Sequence, residues 1–275
     1  MEYEELDGTG VKIPKVGLGT YQIEATPKGE AIAALRRGIE LGMTLIDTAE
    51  MYGWGKAEEL VGEAIKPFDR ESITIVTKVW GTNLAYESVK RAARASAARL
   101  GTYIDIYLIH WPNPSYSLEE TLRAMEELVS EGIVRYIGVS NFSLDLLKRA
   151  RELLEHNDVV TNQVEYSLRV REPEEDLLPY CQRERITLMA YSPLDRGRLA
   201  KRPPYKLKVI AAKMGKTPAQ VAINWLISKP MVVAIPKASR VNHVEELAGS
   251  VGWRIPDELM RELDVLEERS RWPRS

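Results

Sequence analysis

The sequence predicts an α/β protein that forms one (β/α)8 barrel of the TIM-barrel type over residues 1–275, with an N-terminal β-hairpin and two extra helices. Short runs rich in Val, Ile and Leu alternate with longer helical segments, and eight such runs occur: residues 16–18, 44–47, 73–78, 104–110, 134–140, 160–165, 186–191 and 231–236. Several runs are almost continuously apolar, as in parallel strands buried on both faces. Eight βα units would fill the chain, because such barrels have ~250 residues.

The helical segments between these runs have recognisable ends. Thr26 and Pro27 predict an N-cap followed by a first-turn proline, and Gly42 follows the end of the same helix. Ser117 and Glu120 have the spacing of a capping box at the start of a later helix. The two extra helices are predicted at residues 205–214 and 256–268. A doubly wound sheet is disfavoured, because no GxGxxG turn opens the first helix.

Composition excludes several classes of function. The net charge is −2, with 38 basic and 40 acidic residues and no basic block, which argues against binding to nucleic acid. No apolar run is long enough to span a bilayer, and the acidic N-terminus does not resemble a secretory signal, so we expect a cytoplasmic protein with no membrane partner. A single cysteine and three histidines without a ligand spacing predict no metal site. The arginine-rich basic set favours a thermophilic source.

Polar residues occur where the predicted strands end. In a barrel of this type, catalytic side chains come from the carboxyl ends of several strands. The polar residues at these ends, with one tyrosine from the loop after Asp47, are Asp47, Tyr52, Lys78, His110, Ser140, Asn141, Gln163, Tyr191 and Ser192. Each alone has an ordinary structural explanation, such as a helix cap or a solvated side chain. Because separate strand ends would deliver them to one mouth, we expect them to form a site.

The residue types in this group also suit one another chemically. A tyrosine hydroxyl has a reference pKa of ~10, and a cation such as Lys78 nearby would lower that pKa by ~1–3 units. An aspartate paired with the lysine would keep it charged and oriented. A histidine on the next strand could hydrogen-bond a carbonyl oxygen. Such a site can protonate the alkoxide that develops when a carbonyl group is reduced.

Seven short motifs resemble those of the aldo-keto reductase family, specifically a prokaryotic-type member with short loops. They are Gly17-Leu18-Gly19-Thr20-Tyr21, Asp47-Thr48-Ala49 with Tyr52-Gly53, Thr77-Lys78-Val79-Trp80, Leu108-Ile109-His110-Trp111-Pro112, Ile137-Gly138-Val139-Ser140-Asn141-Phe142, Gln163-Val164-Glu165-Tyr166 and Ile235-Pro236-Lys237. They follow the family's order along most of the chain. The resemblance implies a (β/α)8 barrel that binds NADPH or NADH in an extended form, without a Rossmann domain.

The resemblance also implies a catalytic tetrad, whose members would be Asp47, Tyr52, Lys78 and His110. Tyr52 would be the general acid in reduction and the base in the reverse reaction. Lys78, paired with Asp47, would depress the pKa of Tyr52, and His110 would orient the carbonyl group of the substrate. The expected activity is therefore the reversible, NAD(P)H-dependent reduction of aldehydes and ketones to alcohols.

The cofactor residues that the resemblance implies are Gly19, Thr20, Tyr21, Asp47, Ser140, Asn141, Gln163, Tyr191, Ser192, Leu194, Ile235, Lys237, Ala238, Ser239, Arg240, His243 and Glu246. Ser140, Asn141 and Gln163 would hold the nicotinamide carboxamide, and Tyr191 would stack on the ring. At the adenosine end, His243 occupies the position where the family usually has arginine, and Leu247 replaces an asparagine. We expect NADPH to be preferred, with NADH possible and discrimination weakened.

Aromatic side chains at or after the strand ends predict the substrate pocket, which His110 would also line. They are Tyr21, Trp54, Trp80 and Trp111, and they favour aldehydes and ketones with apolar or aromatic bodies. Three segments that close over the substrate in this family are short here: those after His110, after Ser192 and after the last helix. We therefore expect an open site with broad, modest selectivity, in a protein that is a monomer.

Two other functions remain compatible with the residues. In a class I aldolase-type lyase, Lys78 would form a Schiff base, although such a lysine should be desolvated rather than paired with Asp47. Covalent trapping by borohydride would identify that chemistry. A nicotinamide-binding regulatory barrel would bind NADPH with little turnover, and the intact tetrad argues against it.

Overall fold

The computed structural model describes residues 1–6 and 9–266. The strands are β1 Tyr3–Glu5, β2 Lys12–Pro14, β3 Leu18–Gly19, β4 Leu45–Asp47, β5 Thr74–Val79, β6 Ile104–Ile109, β7 Val134–Ser140, β8 Val159–Glu165, β9 Thr187–Tyr191 and β10 Val232–Ala234. The helices are α1 Lys28–Glu40, α2 Lys56–Ile65, α3 Tyr86–Leu100, α4 Leu118–Ser130, α5 Leu144–Leu153, α6 Leu177–Glu184, α7 Arg198–Lys201, α8 Tyr205–Lys213, α9 Pro218–Ile227, α10 Val241–Ala248 and α11 Asp257–Asp264.

The strands β3 to β10 form one parallel sheet in chain order, as the eight apolar runs predict. The two edge strands meet, because the Gly17 amide donates to the Ala234 carbonyl at 2.8 Å and the Gly19 amide donates to the Pro236 carbonyl at 2.9 Å. A Cβ on Gly19 would lie 2.8 Å from the carbonyl oxygen of Ile235, so glycine permits this close approach. The (β/α)8 prediction is confirmed.

Side chains alternate between the barrel interior and the helical layer along each strand. The interior cluster consists of Leu6, Ile13, Leu45, Val76, Ile106, Leu108, Val160, Met189, Val233 and Ile235. Leu6 and Ile13 belong to the β1–β2 hairpin, so the predicted N-terminal hairpin is present and its apolar side chains fill one end of the barrel. The alternation places Asp47 and Lys78 on the interior face, two residues beyond Leu45 and Val76.

The helix ends differ from the prediction at two positions, the start of α1 and the predicted capping box of α4, of which only the bond to Ser117 is present. The N-cap residue of α1 is Pro27, with an extended backbone at ψ 132°, so the helix begins one residue later than the Thr26 cap would require. Ser117 caps α4, and its hydroxyl accepts from the Glu120 amide at 3.3 Å. The full capping box lies elsewhere, at Thr217 and Gln220 at the start of α9.

The extra helices are present as α8 and α11, and the short helix α7 adds one turn that the sequence did not predict. The segment after Ser192 therefore reaches helical structure at Arg198 rather than at Tyr205. The predicted helix at 256–268 is observed as α11 up to Asp264. Its last two residues, and the expectation of a short tail, lie outside the described residues.

Candidate active site

Asp47 and Lys78 lie at the carboxyl ends of neighbouring strands and form an ion pair inside the barrel. The Lys78 side chain is fully buried, and its Nζ atom lies 2.8 Å from Oδ1 and 2.9 Å from Oδ2 of Asp47. The same ammonium group donates to the Thr48 carbonyl at 2.8 Å and to the Tyr52 hydroxyl at 3.2 Å. Pairing and hydrogen bonding offset the cost of burying these charges.

Tyr52 is held above this pair by a tight turn between β4 and α2. Gly53, Trp54 and Gly55 all have positive φ angles, of 55°, 55° and 91°. The turn brings the Tyr52 ring over Lys78, with Nζ 4.9 Å from the ring centroid. Glycines on both sides of Trp54 make this left-handed path accessible, since a residue without a Cβ adopts it readily. The motif Tyr52-Gly53 therefore carries a conformational requirement besides the hydroxyl group.

The pKa of Tyr52 is governed mainly by burial in this structure. Burial, together with the nearby Asp47 carboxylate, raises the pKa of the Tyr52 hydroxyl well above 10.0. Burial lowers the pKa of Lys78, while the Asp47 and Glu58 carboxylates act in the opposite direction. In this structure burial outweighs any lowering of the Tyr52 pKa by Lys78, so the expected depression stays a prediction. The raised pKa keeps the Tyr52 hydroxyl protonated.

His110 follows β6 and packs edge-on against two aromatic rings. Its ring centroid is 5.7 Å from that of Tyr52 and 5.3 Å from that of Trp80. Burial and the Lys78 cation lower the pKa of His110 from 6.5 to about 3. Its Nδ1 atom is buried and has no hydrogen-bond partner among the described residues. His110 is thus a neutral imidazole beside the Tyr52 hydroxyl.

The residues predicted to hold the carboxamide lie at the ends of β7 and β8, and they are connected to Tyr191 at the end of β9, which is predicted to stack on the nicotinamide ring. The Asn141 Nδ2 atom donates to the Ser140 hydroxyl at 3.1 Å and to the His110 carbonyl at 3.0 Å. The Tyr191 hydroxyl donates to Asn141 Oδ1 at 2.9 Å. Gln163 Nε2 donates to Asp47 Oδ1 at 2.7 Å, which joins this group to the tetrad.

The predicted adenosine end lies at the start of α10, and its charged side chains are exposed. Lys237 and Arg240 are exposed, as is His243 one turn further along. Burial of its stem and the nearby Lys201 cation lower the pKa of Lys237, and Glu24 opposes them. The α10 N-terminus has no side-chain cap, which leaves its first amide groups available to an anion. The other predicted residues here are Ile235, Ala238, Ser239 and Glu246, and Ser192 and Leu194 lie in the segment after β9.

The residues predicted near the first strand are close to Asp47. The Thr20 hydroxyl donates to the Asp47 carbonyl at 2.9 Å, and Gly19 pairs with Asp47 in the sheet register. Tyr21 lies on the open side of Tyr52, with ring centroids 5.3 Å apart. These contacts bring the loop after β3 to the same mouth as the tetrad.

The four aromatic residues predicted to form the pocket do not all face it. Trp80 packs against His110, and Tyr21 packs against Tyr52. Trp111 directly follows His110 and is 46 % exposed. Trp54 is 96 % exposed, because its left-handed backbone turns the side chain into solvent. The structure therefore brings Tyr21 and Trp80 together around the tetrad, with Trp111 at the edge, and does not bring Trp54 there.

Two acidic residues that sequence reasoning left unassigned contribute to the site. Glu50 Oε1 accepts from the Trp80 amide at 2.6 Å and from Asn83 Nδ2 at 3.0 Å. These bonds connect the loop that carries Tyr52 to the loop after β5. Glu58 is completely buried behind β5. The only sequence signal was their position, two residues before and six residues after Tyr52.

No group of three or more potential metal ligands occurs among the residues that the structure describes. None of the described helices is both long enough and apolar enough to cross a membrane.

The chain is a parallel (β/α)8 barrel, and Asp47, Lys78, Tyr52 and His110 cluster at the carboxyl ends of its strands. These features define a class of barrel proteins with a buried acid–base site. A family model described as the Aldo/keto reductase family matches residues 15–268. The chain belongs to the aldo-keto reductase family.

Characterised relatives are similar over most of their length. The methylglyoxal reductase YeaE of Escherichia coli is 43 % identical over 86 % of this chain and 85 % of the relative. The thermostable aldo-keto reductase Tm1743, solved with the inhibitor epalrestat, has a TM-score of 0.91 and 46 % identity, covering 96 % of this chain and 99 % of its own. An aldo-keto reductase of Klebsiella pneumoniae in complex with NADPH has a TM-score of 0.90 and 37 % identity, covering 98 % of both chains.

Proposed function

We propose that this protein reversibly reduces aldehydes and ketones to alcohols with NADPH, and that Tyr52 supplies the proton. The observation that carries the proposal is the hydrogen bond between the Tyr52 hydroxyl and the buried Lys78–Asp47 pair, beside a neutral His110. This arrangement offers an acid, a cation and a hydrogen-bonding group to one carbonyl oxygen. Membership in a family of oxidoreductases supports the same chemistry.

The residues of the chain fit a dinucleotide of this type. The exposed cations Lys237 and Arg240 lie at the uncapped start of α10, which suits a phosphate group. Ser140, Asn141 and Gln163 would hold the carboxamide group at the other end. NADPH supplies a hydride to the carbonyl carbon when it is bound. The binding of NADPH by the Klebsiella pneumoniae relative supports this choice.

The side chains of the tetrad would act on the carbonyl oxygen. The His110 imidazole, which is neutral because its pKa is about 3, would donate a hydrogen bond that orients the carbonyl group. As charge develops on the oxygen, Tyr52 would transfer its phenolic proton to it, and the adjacent Lys78 cation would stabilise the phenolate that remains. In alcohol oxidation the phenolate would take the proton back.

We propose small aldehydes and α-ketoaldehydes as the substrate class. Tyr21 and Trp80 provide aromatic walls directly beside Tyr52 and His110, while the partly exposed Trp111 leaves the outer side open. Such walls suit a compact carbonyl compound and select little beyond it. The activity named for the Escherichia coli relative, methylglyoxal reduction, supports this class.

We propose a monomer that acts in the cytoplasm, and the likeness to a thermostable relative supports a thermophilic source. A Schiff base on Lys78 is disfavoured, because its ammonium group has three oxygen acceptors within 3.2 Å: a carboxylate, a carbonyl and a hydroxyl. No observation favours the regulatory alternative.

A direct test follows NADPH and NADH oxidation with a panel of aldehydes and ketones, in the wild type and in Tyr52→Phe. We expect wild-type turnover with methylglyoxal, and in the variant a loss of kcat of ~10²–10⁴-fold with unchanged NADPH affinity. Full activity of Tyr52→Phe would show that another group is the acid. NADPH binding without turnover across the panel would support the regulatory barrel. A borohydride-trapped adduct on Lys78, formed without cofactor, would support the aldolase.

A further inference from the structure

An ion pair between the buried Glu58 and the partly exposed Arg99 lies in the helical layer directly behind the candidate active site. The Glu58 side chain is fully buried; its carboxylate accepts from Arg99 Nε at 2.6 Å and from the Thr77 hydroxyl at 2.5 Å. A carboxylate in such surroundings is costly unless it is paired and hydrogen-bonded. One partner, Thr77, directly precedes Lys78 in β5, and the other, Arg99, packs against the turn that carries Tyr52.

The first connection runs through Thr77 to Lys78. Thr77 is the residue of β5 that precedes Lys78, and successive side chains of a strand point to opposite faces. Lys78 therefore points into the barrel, while Thr77 points outward to Glu58 on α2. The hydrogen bond from Thr77 fixes this end of β5 against α2 at the point where the lysine leaves the strand.

The second connection runs through Arg99 to the turn that carries Tyr52. The Arg99 side chain extends from α3 across Gly55, where a Cβ would lie 2.6 Å from both Cδ and Nε of the arginine. Gly55 has a φ of 91° and ends the Tyr52 turn at the start of α2. The side chain that pairs with Glu58 therefore packs against the base of that turn.

We propose that Glu58 is a positioning residue for carbonyl reduction: through Thr77 and Arg99 it fixes the Lys78 strand against the Tyr52 turn. The proposal rests on the proposed function, in which Tyr52 is the acid and Lys78 its partner. The 3.2 Å contact between those two side chains depends on this relative placement of β5 and the turn.

The charges around Tyr52, Lys78 and Glu58 determine the direction in which each substitution should shift the pKa values of the site. The groups that interact with Tyr52 and Lys78 are Asp47, Tyr21, His110 and Glu58. Those that interact with Glu58 are Arg99, Lys78 and Tyr107, and Glu50 also acts on Tyr107. Glu58 raises the pKa of Lys78 against the effect of burial. Loss of a negative charge lowers the pKa of every acid in its field, and loss of a positive charge raises it.

The test compares Glu58→Gln with Arg99→Gln by the pH profile of kcat for carbonyl reduction and alcohol oxidation. Glutamine can still accept from Thr77 but carries no charge. We expect the apparent pKa on the alkaline side of the kcat profile to fall by ~0.5–1 unit in Glu58→Gln and to rise in Arg99→Gln. We expect kcat to fall ~10-fold in both variants, with NADPH affinity unchanged. The matched control is Glu59→Gln, at the exposed neighbouring position, which should match the wild type.

Thr77→Val keeps the proposal testable if Glu58→Gln fails to fold. It removes the hydroxyl without creating an unpaired charge, and we expect kcat to fall ~3–10-fold with an unchanged pH profile. Wild-type kcat in Thr77→Val, or unshifted profiles in the two glutamine variants, would overturn the positioning role. These outcomes are distinct from a failure of the proposed function, which would appear as full activity in Tyr52→Phe.

Discussion

The ammonium group of Lys78 contacts both carboxylate oxygens of Asp47, at 2.8 and 2.9 Å, and almost no solvent reaches either side chain. The pair is nearly neutral as a unit, and burial raises the pKa of the Tyr52 hydroxyl beside it. Tyr52 is therefore protonated in the resting site, which is the state that the proposed reduction would require at the start of a turnover.

The ion pair predicts non-additive effects on stability. Lys78→Met leaves the Asp47 carboxylate buried without its cation, and we expect a loss of about 3 kcal/mol in the free energy of unfolding. The double variant Asp47→Asn with Lys78→Met should recover most of that loss while remaining inactive. Urea unfolding measures both. As a control, Lys28→Met removes the cation of the exposed Lys28–Glu63 ion pair and should lower the free energy of unfolding by less than about 0.5 kcal/mol.

His110 predicts a pH dependence of stability. Its pKa is about 3 in the folded protein and 6.5 when unperturbed, so the unfolded chain takes up the proton first as the pH falls. The stabilisation is therefore complete above pH 6.5 and decreases toward pH 3, with a slope of at most about 1.4 kcal/mol per pH unit. His110→Gln should lose less stability over this range in urea unfolding series. His156→Gln, at an exposed histidine, should retain the wild-type slope.

Glu50 predicts an effect on substrate binding rather than on the cofactor. Its carboxylate holds the Trp80 amide and Asn83, so Glu50→Ala should loosen the aromatic wall beside His110. We expect KM for methylglyoxal to rise about 5–10-fold and the affinity for NADPH to be unchanged. Glu50→Gln, which retains an acceptor oxygen, should recover most of the loss in steady-state kinetics. An unchanged KM in Glu50→Ala would show that Trp80 is held by other contacts.

His243 predicts weak discrimination between the two nicotinamide cofactors. The residue is exposed one turn beyond Arg240, where an arginine could form a bidentate contact with a phosphate group. We expect His243→Arg to tighten NADPH binding about 10-fold and to leave NADH binding unchanged, as measured by fluorescence titration. Asn242→Arg adds the same charge at the adjacent exposed position and should have a smaller effect. Equal gains in the two variants would indicate a general charge effect.

The sequence predicted the strands more accurately than the details of the site. The eight apolar runs correspond to β3–β10, because strands buried on both faces leave a continuous local pattern. The polar residues that follow four of them, including Asp47 and Lys78, do meet at one mouth of the barrel. Trp54 shows the limit of this reasoning, since its place in the chain suggested a pocket wall and its backbone conformation exposes it.

The sequence by itself therefore determined the barrel and the resemblance to the family, and it supplied the residues of the predicted tetrad, because these depend on local periodicity and on which residues follow each strand. Only the tertiary structure decided that burial raises the pKa of Tyr52 and that Glu58, bonded to Arg99 and Thr77, lies behind the site. The physical reason is that burial and electrostatic pairing depend on residues far apart in the chain. Glu58 and Arg99 are separated by 41 positions, and Gln163 and Asp47 by 116.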